Sequence, residues 1–205
     1  GADLEVISLT KFANGHSDAV AGAVIGPKEL VKKCHAVQVV LGSQADPFSS
    51  WLVCRGMRTM ELRVKKQAEN AMALAEALEK SPYVRSVHYA GLKSNPFHEI
   101  ADKQFGGYYG GMLTVELPEE NDYDVATSKF NKFMRGLKLA HYAMTLGGYR
   151  TTFSYPPHSS HDNLTKEQRY AIGITDSMLR FSVGIENTQD LVNDVLRALE
   201  EAYGK

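Results

Sequence analysis

Apolar and polar positions alternate along the chain in a way that predicts short strands separated by amphipathic helices. Leu4, Val6, Ile7 and Leu9 predict a strand over residues 4–9, closed by Ser8, Thr10 and Lys11 and followed by the polar turn Asn14-Gly15-His16-Ser17-Asp18. A second apolar stretch, 20–25, predicts another strand that stops at Gly26-Pro27. Pro27 suits a first helical turn, where its missing N–H costs nothing. From about Ser49 onward, Leu52, Met60, Val64, Ala68, Ala71, Leu74, Ala75 and Leu78 recur at mostly three- and four-residue spacing. That period predicts one long amphipathic helix ending at Ser81-Pro82, with Gly56 as a weak point inside it.

Beyond it the pattern shortens. Strands are expected over 84–89, 110–117, 139–146 and 178–185, and helices over 98–104 and 124–136, from Thr165, and over 189–203 behind an Asn187 or Thr188 cap. Residues 151–161 read as an irregular Pro/Ser/His segment. The expected class is α/β. Residues 1–50 read as the tail of a larger sheet, because two strands and a helix do not close a core. Residues 51–81 read as a long connecting helix and 82–205 as a small carboxyl-terminal α/β domain.

Composition narrows the function classes. The chain has 205 residues, a length for one or two domains. Its 23 Lys and Arg against 24 Asp and Glu leave no electrostatic footprint for nucleic acid or an anionic membrane. The longest apolar run, 19–25, is too short to span a bilayer, and no leader-like segment opens the sequence. Cys34 and Cys54 lack CxxC or zinc-finger spacing, which points to a reduced, cytoplasmic protein. The glycines between 106 and 111 lack GxGxxG spacing and precede a strand, so they predict no dinucleotide loop. His158 and His161 have no third ligand nearby in sequence to suggest a metal.

The chemistry concentrates at the first turn. If Ser8 and Thr10 lie two apart on a strand, their hydroxyls face the same side. Lys11 follows where the strand gives way to a turn. Clustered hydroxyls suit a phosphate, and an amine of lowered pKa suits an aldehyde. The combination fits a phosphorylated aldehyde cofactor. From these residues alone, a solvent-facing lysine after a strand is the alternative.

The segments beginning Ile7-Ser8-Leu9-Thr10-Lys11, Asp46-Pro47-Phe48, Gly110-Gly111-Met112, Thr145-Leu146-Gly147-Gly148 and Ala171-Ile172-Gly173 occur here in a specific order. Together they resemble the Cys/Met-metabolism family of pyridoxal-phosphate enzymes, over the whole chain but only the carboxyl-terminal half of a typical member. The resemblance implies the end of a large, aspartate-aminotransferase-like (fold type I) cofactor-binding domain joined by a helix to a small α/β domain. It implies that Lys11 is the Schiff-base lysine for pyridoxal 5'-phosphate, that Ser8 and Thr10 are phosphate ligands, and that Arg180 receives the α-carboxylate of an amino-acid substrate. Thr145 stands where the family usually has a serine that helps orient the lysine and the carboxylate.

The implied activity is elimination or replacement at Cβ or Cγ of a sulfur-containing or O-acylated amino acid, first a methionine or cystathionine γ-lyase. O-acetylhomoserine sulfhydrylase or cystathionine γ-synthase is the second reading, and a non-catalytic fragment or interaction domain the third. The family implies a dimer of dimers, and an upstream half that carries the aspartate for the pyridine nitrogen and the ring stacked on the cofactor. This sequence departs from the family after Gly148. Many members have Glu two residues on, where Arg150 stands here, and Tyr155-Pro156-Pro157-His158 replaces a His-Pro-Ala segment. Arg150 is expected either to face solvent or to meet a second acidic group.

Overall fold

A computed structural model describes residues 1–120 and 123–204, which form two compact units, Gly1–Leu62 and Arg63–Lys205. In the first, β1 (Glu5–Ser8) pairs antiparallel with β2 (Gly22–Ile25), followed by α1 (Lys28–Leu41) and α2 (Pro47–Met57). The α2 start is fixed locally: the Asp46 carboxylate accepts the N–H groups of Phe48 and Ser49 at 3.0 and 2.9 Å, and proline fills the first helical position. Two helices stand where the periodicity predicts one. Arg58 N–H and Thr59 N–H close tight turns onto Arg55 and Gly56, and the Thr59 hydroxyl also donates to the Gly56 carbonyl. The α-helical ladder therefore stops, and α3 (Met60–Glu79) begins afresh.

The second unit is a five-stranded sheet in the order β3-β4-β7-β6-β5, antiparallel except for the β5–β6 pair. Its strands are β3 (Ser86–His88), β4 (Met112–Glu116), β5 (His141–Tyr142), β6 (Thr152–Ser154) and β7 (Met178–Ser182). Between them lie α4 (His98–Phe105), α5 (Tyr123–Gly136), a 3₁₀ turn (Pro156–His158) and α6 (Lys166–Ala171), and α7 (Thr188–Tyr203) follows β7. Leu113, Val115, Phe153, Leu179 and Phe181 alternate onto one face. Leu74 and Leu78 of α3, Phe133 of α5 and Leu191, Val195 and Leu199 of α7 bury them there.

Two expectations change here. The strand expected over 139–146 is only a two-residue edge, and the segment expected to be irregular contains β6. The Thr-Phe-Ser alternation of β6 is too short to stand out in sequence, yet Phe153 enters the core while its neighbours face away.

Asp194 fastens α7 to the end of α5. Its carboxylate, 6 % exposed, accepts the N–H groups of Lys138 and Leu139 and pairs with Arg197 at 2.7 Å. No described helix is long and apolar enough to cross a membrane.

Candidate functional site

The structure gathers the five candidates into two groups, one in each unit. The first is a helical turn at the end of β1. The Asn14 N–H bonds the Leu9 carbonyl at 2.9 Å, and the Gly15 N–H bonds the Lys11 carbonyl at 2.7 Å. Gly15 then leaves the turn at φ 68, a conformation that suits a residue without Cβ. β1 ends at Ser8, so Thr10 lies on the turn and not on the strand. This corrects the alternation argument that placed both hydroxyls on one strand face.

The turn holds Thr10 by a different device. Its oxygen accepts the Ala21 N–H at 3.0 Å, and its proton points to the Ala21 carbonyl at 3.2 Å. That carbonyl also receives the Thr10 N–H at 3.2 Å. The hydroxyl proton can therefore turn toward a phosphate without orphaning the carbonyl, while the Ala21 N–H keeps the oxygen in place. Ser8 is exposed, Lys11 is half-buried, and among the described residues neither side chain has a hydrogen-bond or ion-pair partner.

Behind the lysine, Asn14 is fully buried at 0 % exposure. Its Nδ2 donates to Asp18 at 2.8 Å, and His16 Nδ1–H donates to the Asn14 carbonyl at 2.6 Å. His16 and Asp18 thus both brace Asn14. Helix α2 presses on the same place: a Cβ on Gly56 would stand 2.3 Å from the Asn14 main-chain oxygen. A cleft of about 120 Å³ opens beside this contact, lined by His16, Asp18, Leu52, Arg55, Gly56 and Thr59.

The second group lies on the sheet face opposite the one that α3, α5 and α7 cover. Arg180 sits mid-strand on β7, directly between Thr114 of β4 and Ser154 of β6. Directly paired residues share a face, so two hydroxyls flank the arginine. Arg180 is half-buried, and among the described residues its guanidinium has no carboxylate or other acceptor. A half-buried guanidinium left so can grip a carboxylate through two parallel bonds.

Thr145 joins this face. Its carbonyl accepts the Thr152 hydroxyl at 3.1 Å, and the Gly147 N–H donates to the Ser182 hydroxyl at 2.9 Å. Thr152 and Ser182 are paired, one face position along from Ser154 and Arg180. Arg150 is exposed and stacks over Tyr149 at 5.1 Å.

Sequence reasoning missed the residues that hold this region. Gln67 and Asn70, both fully buried on α3, bond the carbonyls of Gly148, Gly184 and Glu186. A signal was present: two amides interrupt the apolar stripe that Ala71, Leu74 and Leu78 continue.

Residues 1–200 match the profile of the Cys/Met metabolism PLP-dependent enzymes, and the chain belongs to that family. It is 40% identical over 200 residues to cystathionine gamma-synthase 1 of Nicotiana tabacum, with 98% of this chain and 36% of that protein aligned. It is 41% identical over 202 residues to cystathionine beta-lyase of Lactococcus lactis subsp. cremoris, covering 98% of this chain and 51% of the relative. The crystal structure of cystathionine gamma synthase from Xanthomonas oryzae pv. oryzae in complex with cystathionine superposes with a TM-score of 0.90 at 36% identity, over 98% of this chain and 51% of that one. The chain thus spans about half, or less, of the length of these relatives. The mixed α/β architecture is that of the carboxyl-terminal part of these fold type I enzymes.

Proposed function

We propose that this chain supplies the lysine and the carboxylate-binding arginine of a pyridoxal-phosphate-dependent enzyme acting on sulfur amino acids, of the methionine or cystathionine γ-lyase type. The observation that carries it is the pair of half-buried cations, Lys11 and Arg180, each without a partner among the described residues and each inside a family motif. The residues present fit the cofactor: an amine with no counter-ion among the described residues, an exposed hydroxyl at Ser8, and a hydroxyl at Thr10 whose proton is free to turn. Lys11 would hold the aldehyde carbon, and Ser8 and Thr10 the phosphate.

When bound, the cofactor supplies an electron-withdrawing ring that makes the substrate Cα–H acidic. The chain's own residues do the rest. Arg180 fixes the α-carboxylate and with it the orientation of the Cα–H bond. Thr145, held through its carbonyl, offers its hydroxyl to that carboxylate. The Lys11 amine takes the Cα proton and returns one as the leaving group departs.

Relatives named cystathionine beta-lyase and L-methionine gamma-lyase favour elimination. Those named cystathionine gamma-synthase favour replacement, the second reading. We further propose that the enzyme is completed by the upstream half of the family fold, assembles as a dimer of dimers and works in the cytoplasm. The apolar side chains that α1 and α2 leave exposed, and the unpaired cysteines, support this.

Lys11→Ala in the assembled holoenzyme should abolish the absorbance of lysine-bound cofactor and turnover together, and retention of both refutes the assignment. Incubation with methionine, with cystathionine, and with O-acetylhomoserine plus sulfide then separates the readings. α-Keto acid and ammonia formed without added thiol mark the lyase. Product that needs sulfide marks the alternative.

A further inference from the structure

Beyond the ends of β6 and β7 a set of buried bonds fastens the chain beside the Arg180 face. Thr151 is fully buried, and its N–H and its hydroxyl both donate to the Glu186 carboxylate, at 2.5 and 2.8 Å. The Thr151 hydroxyl oxygen accepts the Gly184 N–H at 2.9 Å. Asn70 donates to the carbonyls of Gly184 and Glu186 at 3.1 and 2.8 Å, and its own oxygen accepts the Thr188 hydroxyl at 2.7 Å. Two segments, 147–151 and 183–188, are in this way fastened to each other and to one helix.

Both segments continue the strands that carry the candidate site. Gly184 lies four residues along the chain from Arg180, and Thr151 immediately precedes Thr152, whose hydroxyl holds Thr145. The contact between them is main chain on main chain. A Cβ on Gly184 would stand 2.4 Å from the Tyr149 main-chain oxygen and 2.5 Å from the Glu186 carboxylate. Thr151 lies just outside β6 and Gly184 just beyond the end of β7, so the clamp ties the chain together where the two strands end.

We infer that Glu186, acting through Thr151, is a positioning residue for the substrate-carboxylate site: it fixes the Thr145 segment against the strand that carries Arg180. The inference rests on the reading of Arg180 proposed above. A carboxylate is the group the place requires. Two donors converge on it, and an ionised carboxylate accepts both while offering no donor of its own. The side-chain amide of a Glu186→Gln variant has one accepting oxygen, so it cannot take both Thr151 donors: the hydroxyl must turn its proton away and accept from the NH₂ instead. The clamp then loses its charge-assisted bonds, and its hold on the Thr145 segment against the Arg180 strand loosens.

The test compares Glu186→Gln, Thr151→Val and Thr151→Ser in the assembled holoenzyme. In Glu186→Gln the KM for the amino-acid substrate should rise about tenfold, with kcat changed by less than about threefold. The absorbance of lysine-bound cofactor should not change. Thr151→Val should move KM in the same direction, and Thr151→Ser, which keeps both donors, should restore it.

A readout without turnover separates positioning from mere support. An unreactive substrate analogue bearing the α-carboxylate should bind about tenfold more weakly to Glu186→Gln in a spectral titration, while the corresponding amine lacking the carboxylate binds unchanged. Equal weakening of both analogues, or of neither, overturns the inference. Arg180→Lys keeps the two readings apart. If it spares the carboxylate analogue, the proposed function fails. If it weakens that analogue and Glu186→Gln does not, only the role of Glu186 fails.

Discussion

The two units of this chain are held in different ways. The carboxyl-terminal unit closes a core in which Phe133, Phe153, Phe181, Leu179 and Leu191 are fully buried. In the amino-terminal unit α1 buries no side chain, and Val37, Val40, Leu41, Phe48 and Trp51 stand exposed. What that unit does bury lies mostly around the lysine turn: Ala13, Asn14 and Gly15 on the turn, Ala19 just after it, and Val53 and Gly56 on α2. One unit is stabilised by apolar area removed from water. The other owes its local order to main-chain contact and hydrogen bonds around the Lys11 turn.

That contrast can be broken by experiment, and the largest effect should fall in the core. Phe181→Ala should destabilise the carboxyl-terminal unit by about 3–5 kcal/mol, read as a lower urea midpoint in far-ultraviolet circular dichroism. An unchanged midpoint would mean that the core is not what holds this unit.

Next in size, Gly56→Val forces a side chain against the Asn14 carbonyl and should cost about 1–3 kcal/mol. Its signature is weaker retention of cofactor on Lys11, with the unfolding midpoint of the carboxyl-terminal unit unmoved. If both fall together, the two units are not separately sensitive.

The smallest effect sharpens the comparison through pH. Burial alone would raise the Asp194 carboxyl, but hydrogen bonds from the Leu139 and Lys138 N–H groups and the Arg197 guanidinium outweigh it and hold its pKa below the ordinary 3.8. The unfolded chain therefore binds the proton more readily than the folded one. The stability from this group is fully present above about pH 5 and is lost as pH falls through the folded value. Asp194→Asn should flatten that acid limb of the stability curve for the carboxyl-terminal unit, and an unchanged limb would remove Asp194 from the account.

Much of this was legible in the residues, for reasons that differ from place to place. Lys11 stands out as a candidate only once the family segments are set beside the meeting of an apolar strand, hydroxyls and a polar turn. The terminal helix is readable from its period and from the Asn187 cap, whose side chain accepts the N–H groups of Gln189 and Asp190. Thr10 was misplaced because sequence does not show where pairing with β2 stops. The single long helix was overextended because periodicity continues through 58–59 although the hydrogen-bond ladder does not. The clamp of Asn70, Thr151 and Glu186 joins residues more than a hundred positions apart in part, and no local pattern brings such residues together. Only the polar interruption of the α3 stripe marked one end of it.

The place of Arg180 in the middle of three hydrogen-bonded strands has a consequence for how this chain can change. Side chains on a strand alternate, so sliding β7 by one residue against its neighbours would turn the guanidinium inward and bring Leu179 or Phe181 out. There is no intermediate setting. The anchor proposed for the amino acid's acid end is thus held in discrete steps, and on that proposal gradual retuning of specificity must come from the irregular lengths of chain around it.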